Sequence, residues 1–110
     1  MRKITEQATN AFRNNESFNS SNTTVTVNER DVALSLHGHI IALKNIKSGK
    51  IQISNKGWES NTTKERLNGV IAYCGNGNTD KISQKTGTWY WTDRNGTKKE
   101  FPFAAYTRIN

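Results

Sequence analysis

The hydrophobic pattern of this 110-residue chain changes its period twice, and this change restricts the fold more than any other sequence feature. Apolar residues recur at helical spacing over residues 4–12, alternate with polar ones over residues 24–53, and return to helical spacing over residues 67–74. A block of strands between two helices is typical of α+β proteins. We therefore predict one α+β domain over residues 1–110, with an N-terminal helix, an antiparallel β-meander, a second helix and a C-terminal β-hairpin.

Local signals in the first half set the expected boundaries. Thr5 is the expected cap of the first helix. Residues 14–22 are predicted to form a polar loop, which Phe18 pins to the core. The meander that follows should have about four strands, with turns at Gly38 and at residues 47–50.

The second helix has a clear start in the sequence. Thr62 and Glu65 have the spacing of a capping box, in which each side chain accepts a hydrogen bond from the other's backbone N–H. A core stripe follows at positions i, i+3, i+4 and i+7, formed by Leu67, Val70, Ile71 and Cys74. Gly75 stands where the helix should end. The stripe predicts that this face packs on the sheet.

The C-terminal part predicts further strands. They are expected over residues 81–85, over residues 88–92 and from residue 100 onward, with a loop at residues 75–78 and a tight turn at residues 93–96. Because side chains alternate across a strand, Trp89 and Trp91 share one face and Tyr90 occupies the other. If the tryptophans belong to the core, Tyr90 is exposed.

The charge balance favours acidic partners. Sixteen Lys and Arg against nine Asp and Glu give a net charge of +7, which promotes encounter with nucleic acid or an acidic protein surface. No apolar stretch approaches the ~18 residues of a membrane span, and the N-terminus lacks the apolar run of a secretory signal. We therefore predict a cytoplasmic protein with no membrane partner.

The motifs do not indicate a catalytic or metal site. His37 and His39 could share an ion on one face of a strand, but a zinc site takes three or four protein ligands and no others have a suitable spacing. Cys74 lies on the core stripe near the C-terminal end of its helix, where the negative partial charge raises a thiol pKa. We predict a protein that is not an enzyme, with no catalytic residue, no metal and no cofactor.

Basic residues form two groups that are candidates for binding. The first surrounds Tyr90, which could stack on bases of single-stranded nucleic acid, and consists of Lys85, Arg94, Lys98 and Lys99. The second runs along the hairpin into the second helix and consists of Lys44, Lys47, Lys50, Lys56, Lys64 and Arg66. Two simpler interpretations stay open: aromatic residues suit strands for packing reasons, and lysine runs often only solvate a surface.

Three segments together resemble a group of small tailed-phage proteins. They are Leu36-His37-Gly38-His39-Ile40-Ile41-Ala42, Gly57-Trp58 and Thr62-Thr63-Lys64-Glu65-Arg66-Leu67-Asn68-Gly69. Their order and spacing agree with the group over residues 34–71, with Lys64 where Arg is common, and Gln84-Lys85 with Trp89-Tyr90 matches its ending. The resemblance implies a phage source and carries no catalytic residue over to this chain.

Small accessory phage proteins commonly bind host machinery stoichiometrically, and the resemblance implies such a role here. We therefore predict a non-enzymatic phage accessory protein in the host cytoplasm that binds nucleic-acid-processing or defence machinery, with anti-CRISPR-like inhibition as one form. Its partner would be a host protein or nucleoprotein complex. The alternative is direct, sequence-tolerant binding of nucleic acid.

Overall fold

The computed structural model describes residues 2–75, 82–92 and 96–110, and it has the predicted α+β architecture. The two helices are α1 (Lys3–Arg13) and α2 (Asn61–Cys74). The strands are β1 (Phe18–Ser20), β2 (Thr23–Val27), β3 (Asp31–Leu36), β4 (His39–Asn45), β5 (Ile51–Ile53), β6 (Ile82–Lys85), β7 (Thr88–Thr92), β8 (Lys98–Glu100) and β9 (Thr107–Arg108). The order of helix, meander, helix and terminal strands confirms the fold class predicted from the sequence.

The strands form two antiparallel sheets. The larger sheet has the order β1-β2-β3-β4-β5-β9, and the smaller one has the order β6-β7-β8. A two-residue turn joins β3 to β4, and both of its residues, His37 and Gly38, have positive φ angles of 52° and 81°, as the tightest hairpins require. The last strand, β9, returns to the larger sheet and pairs with β5, so the C-terminal segment crosses from one sheet to the other.

Both helices pack on one face of the larger sheet. α1 contacts β1, β2 and β3, while α2 contacts α1, β4 and β6. The register pairs Val25 with Leu34 and Leu34 with Ala42, so these side chains share the covered face. The predicted α2 stripe is confirmed: Leu67, Val70 and Ile71 are buried, and the half-buried Cys74 packs against the same cluster.

A buried polar network joins the two helices to the sheet. The guanidinium of Arg66 donates to the hydroxyls of Thr23, at 3.1 Å, and Thr5, at 2.6 Å. It also pairs with the Glu65 carboxylate at 3.2 Å, and Thr5 donates to the same carboxylate. Arg2 completes the network with an ion pair to Glu65 at 3.3 Å. Because each buried group has a partner, the desolvation cost of the charges is offset.

The structure corrects both predicted helix caps. Thr5 lies inside α1, and the N-cap residue of that helix is Arg2. The Thr5 hydroxyl belongs to the network around Arg66, from which it accepts a hydrogen bond. α2 begins two residues earlier than the capping box predicts: Ser60, not Thr62, is the N-cap, and its hydroxyl accepts from the backbone N–H of Thr63 at 3.1 Å. The Glu65 side chain points toward α1, because in that direction its carboxylate forms an ion pair with the buried Arg66.

Two other local predictions have different outcomes. Residues 18–20 of the expected polar loop form β1, with Phe18 opposite Val25 and packed against the core. Gly75 ends α2 as predicted, but its φ of −83° is not left-handed. A Cβ there would lie 2.5 Å from the Ile71 carbonyl oxygen, so close approach requires the glycine. The predicted loop beyond Gly75 and most of the turn at residues 93–96 lie outside the described residues.

Candidate interaction surface

Lys44 does not belong to the predicted basic surface, because it is buried beneath α1. Its ammonium donates to the carbonyl oxygens of Phe12, at 2.7 Å, and Arg13, at 2.9 Å. These carbonyls lie in the last turn of α1, where a cation is favoured by the helix dipole. Burial lowers the pKa of Lys44, and the nearby Cys74 opposes that shift. Lys44 is therefore a structural cap.

Arg66 is likewise withdrawn from the predicted surface. Only 2% of the residue is exposed, and its donors are directed to Thr5, Thr23 and Glu65. Burial lowers the pKa of its guanidinium, while the charge of Glu65 raises it. Arg66 lies four residues before Val70 and so shares the face of the core stripe, which is the signal in the sequence that its side chain reaches the interior.

The other four members of the second basic group are not concentrated at one place. Lys47 and Lys50 are exposed on the hairpin between β4 and β5. Lys64 donates to the side-chain oxygen of Gln84 at 3.3 Å, which connects α2 to the smaller sheet. Lys56 lies over the ring of Tyr106, with 5.4 Å between its ammonium and the ring centroid.

The surroundings of Tyr90 are only partly those predicted. Trp89 and Trp91 are buried, as the alternation predicts, whereas Tyr90, which was predicted to be exposed, is half-buried. The Lys98 ammonium lies 5.1 Å from the Tyr90 ring centroid. Lys99, however, pairs with Trp91 in the register and lies 5.2 Å from that ring, whereas Glu100 is opposite Tyr90. A carboxylate therefore stands where a cation was expected.

Arg94 lies outside the described residues. Lys47, Lys50 and Lys98 are exposed, and they stay predicted binding residues. The structure separates the hairpin group from the Tyr90 group by placing them on different sheets.

A more concentrated feature lies where the turn after β5 meets the segment before β9. Four large apolar side chains are exposed there, and we call them the aromatic patch: Ile40 (39%), Trp58 (58%), Phe103 (66%) and Tyr106 (39%). The Phe103 ring is adjacent to Gly57, the neighbour of Trp58, and the Tyr106 hydroxyl donates to the Ile40 carbonyl at 2.7 Å. The segments that carry these four residues therefore lie close together in the fold.

A buried asparagine holds the two segments of the patch together. The side-chain oxygen of Asn55 accepts from the backbone N–H of Gly57, at 2.8 Å, and of Ala104, at 2.9 Å. Gly57 has a φ of 81°, and a Cβ there would lie 3.5 Å from the Phe103 ring. Partial burial raises the pKa of Tyr106, and its phenol donates a hydrogen bond to the Ile40 carbonyl. The patch is thus built by specific contacts.

A cleft of about 240 Å³ opens beside Trp58. Its lining consists of Leu36, His37, His39, Ile41, Trp58, Ser60, Thr62 and Thr63. Leu36 and Ile41 are buried and belong to the core. The His39 ring lies against Trp58, with 5.3 Å between centroids and a tilt of 36°. The cleft therefore combines an apolar interior with an imidazole and with the hydroxyls at the start of α2.

The two histidines line the same cleft, whereas Cys74 lies at the C-terminal end of α2. His37 lies in the β3–β4 turn, and His39 contacts Trp58. Within residues 2–75, 82–92 and 96–110, no three His, Cys, Asp or Glu side chains are grouped as a metal site. Burial raises the pKa of the Cys74 thiol, while Lys44 and Arg13 oppose the shift.

None of the four residues of the aromatic patch was predicted from the sequence to be a binding residue. Gly57-Trp58 stands between the predicted meander and the second helix, and an aromatic residue after a glycine in such a connection is a usable signal of exposure. Phe103 and Tyr106 offered no comparable signal, because the segment Phe101-Pro102-Phe103 has no period of two or 3.6 over a useful length. Only the return of β9 to the larger sheet brings them to Trp58 and Ile40.

Comparison with known proteins identifies the family. The chain matches the family model described as Kyanoviridae Gp96 protein over residues 1–108. This is a family of tailed-phage proteins, which agrees with the resemblance seen in the sequence. Because the match covers nearly the whole chain, the protein belongs to the Kyanoviridae Gp96 protein family. No curated protein and no solved structure matches the chain.

The helices of the described part of the chain are too short or too polar to cross a membrane. α2, the longer one, has 14 residues.

Proposed function

We propose that this phage protein acts in the host cytoplasm by stoichiometric binding to a host protein or nucleoprotein, without catalysis. The observation that supports the proposal is the aromatic patch. Exposed aromatic side chains grouped on one surface are typical of protein interfaces, where Trp and Tyr supply much of the binding free energy. A nucleoprotein of the nucleic-acid-processing or defence machinery is the target class that fits the net charge of +7, since the phosphates of its nucleic acid are negatively charged.

The exposed fractions argue that the patch is there for binding. Burying a large apolar side chain is worth about 1.5–3 kcal/mol, so leaving Trp58 and Phe103 largely in water forgoes stability that the fold could have gained. Trp58 is 58% exposed and Phe103 is 66% exposed. A partner that covers both residues would recover this free energy on binding.

Direct binding of nucleic acid is the second candidate. It is favoured by Lys98 over the Tyr90 ring and by the exposed lysines of the β4–β5 hairpin. The acidic Glu100 opposite Tyr90 weakens this candidate, because it repels phosphate. An anisotropy titration with labelled single- and double-stranded oligonucleotides at two salt concentrations tests it. Binding that is tighter than about 100 μM and falls steeply with salt would support it.

The leading proposal is tested by affinity capture from host lysate, with and without nuclease, followed by mass measurement of the purified complex. We expect a defined protein partner at fixed stoichiometry that survives nuclease treatment. Trp58→Ala is expected to lose it, and Tyr73→Ala, which changes an exposed aromatic residue at the far end of α2, is the matched control. A complex that disappears with nuclease would support the second candidate, and absence of any complex would overturn both.

A further inference from the structure

We infer that the cleft beside Trp58 receives one large apolar side chain from an acidic segment of the partner protein. This inference rests on the proposed function, and it specifies which kind of partner residue contacts the cleft. The cleft is the place where the exposed aromatic patch continues into the core: Trp58 forms its wall, and the buried Leu36 and Ile41 contribute to its lining.

The size of the cleft suits a single side chain. Pockets that hold small-molecule ligands usually measure about 300–1,000 Å³, whereas a dry cavity of about 150 Å³ is large enough for a benzene ring. At about 240 Å³, the cleft lies between these values. Its volume therefore matches a protruding aromatic or large aliphatic group better than a cofactor or a nucleotide.

The charges around the cleft favour an acidic neighbourhood in the partner. The lining has two imidazoles and three hydroxyl side chains, and it contains no carboxylate. Lys56, two residues before Trp58, is exposed and lies over the Tyr106 ring of the same patch. The exposed Glu59 lies between Trp58 and Ser60, and neither it nor Lys56 is part of the lining. The net charge of +7 of the chain, rather than a charge in the lining, favours carboxylates on either side of the inserted side chain.

The geometry also explains why the inserted group should be apolar. Ser60 uses its hydroxyl to cap α2 and to contact the Thr63 hydroxyl at 2.9 Å. The His39 ring is held against Trp58. Ser60 and His39 at the rim thus already contact other residues of the rim. In the interior, Leu36 and Ile41 are available for apolar contacts. Burial of apolar surface would supply the affinity, and charge would supply orientation and association rate.

The experiment uses the full chain and a fluorescein-labelled peptide, Glu-Asp-Glu-Trp-Glu-Asp-Glu, titrated by fluorescence anisotropy at low salt. We expect saturable binding with Kd below about 1 mM, a range typical of weak single-anchor contacts. A peptide with Ala in place of Trp should bind at least about 10-fold more weakly, because burial of one large side chain is worth one to two decades in affinity. A peptide with Lys in place of Glu and Asp should not bind measurably.

Two variants assign the site. Trp58→Ala should weaken peptide binding at least about 10-fold while its thermal melt stays cooperative, since the residue is largely exposed. Tyr73→Ala should leave binding unchanged, because Tyr73 lies 13 residues beyond Ser60 near the other end of α2. Equal binding of the Trp and Ala peptides, binding that survives in Trp58→Ala, or no peptide binding at all would overturn the inference. So would a thymidine decanucleotide that binds the wild type but not Trp58→Ala.

The failure of this inference is distinguishable from failure of the proposed function. If host capture succeeds and persists in Trp58→Ala, the binding function stands and the assignment of the cleft is wrong. If the acidic peptide binds at the cleft but the host lysate yields no complex, the proposed host partner is wrong.

Discussion

The protein has two sets of aromatic residues with opposite exposure. Trp89 and Trp91 of the smaller sheet are 1% and 7% exposed, and Phe101, directly after β8, is 3% exposed. Both tryptophan rings lie about 6 Å from the Phe101 ring, measured between centroids. In the aromatic patch, Trp58 and Phe103 are more than half exposed. Residues of the same chemistry thus serve the core in one region and remain open to solvent in the other.

The difference follows from the backbone that carries each set. Trp89 and Trp91 occupy alternate positions of β7, so the strand directs both to the covered face. Trp58 follows the positive-φ Gly57 in a turn, and Phe103 lies in the irregular segment between β8 and β9. Irregular segments on a rigid scaffold are where binding residues concentrate. We therefore expect the first set to stabilise the fold, and we propose that the second set recognises a partner.

Truncating one tryptophan from each set tests most directly whether the two sets contribute differently to stability. Trp89→Ala should lower the free energy of unfolding by about 3–5 kcal/mol, because it leaves a large cavity in the core. Trp58→Ala should lower it by less than about 1 kcal/mol, since most of that side chain is already in water. Denaturant unfolding of both variants measures the difference. Equal losses would show that Trp58 is a structural residue.

The lysines offer a second test of the same division. Lys44→Met removes the ammonium that binds the last carbonyls of α1, and we expect a loss of about 1.5–3 kcal/mol. Lys47→Met changes an exposed lysine three residues further along, and a change within about 0.5 kcal/mol is expected. Thermal and denaturant unfolding of both variants provide the check. A Lys44→Met variant as stable as the wild type would mean that the Lys44 ammonium is available for binding a partner.

A third prediction concerns the start of α2, which forms one side of the cleft. Ser60→Ala should cost about 1 kcal/mol, because it removes the side-chain cap of the Thr63 N–H. Thr62→Ala should change stability by less than about 0.5 kcal/mol, since Thr62 is the second residue of the helix and not its N-cap. The opposite ranking in denaturant unfolding would restore the capping box that the sequence suggests.

The smallest expected effect is the pH dependence contributed by Glu65. Burial acts to raise the pKa of Glu65, but the hydrogen bond from Thr5 and the charges of Arg2 and Arg66 lower it below its ordinary value. Because folding lowers this pKa, the resulting stability is fully present above the unfolded-state pKa of about 4.3 and is lost as pH falls through the folded-state value. The effect is modest because Glu65 is partly exposed, so solvent screens its charge.

Unfolding of the wild type and Glu65→Gln between pH 7 and pH 3 measures this contribution. The stability difference between the two proteins should be constant above about pH 4.3 and should narrow below it. A difference that is the same at every pH would show that Glu65 does not act through its charge.

The sequence predicted those parts of the fold that depend on long hydrophobic periods. The stripe of Leu67, Val70 and Ile71, the alternation around Tyr90 and the turn at Gly38 all follow from local spacing. The N-cap of α2 was less predictable, because Ser60 and Thr62 are both good N-cap residues. Which of them caps the helix depends on the residue with which the Glu65 carboxylate pairs. Tertiary contacts between distant segments decided that choice.

The candidate site was less predictable for the same reason. A lysine count does not distinguish Lys44, buried under α1, from Lys47 on a hairpin turn. The aromatic patch depends on contacts such as Asn55 with Ala104 and Tyr106 with Ile40, which join residues about half a chain apart. Such long-range contacts leave no trace in local periodicity.

The central claim is that the aromatic patch is a recognition surface that the fold does not need for its own stability. The double variant Trp58→Ala/Phe103→Ala tests it in one preparation, by measuring its affinity for the captured host partner alongside its melting temperature. We predict a cooperative melt within a few degrees of the wild type and an affinity at least about 100-fold weaker, since two anchor residues are lost. A double variant that unfolds, or that binds the partner as tightly as the wild type, would contradict the claim.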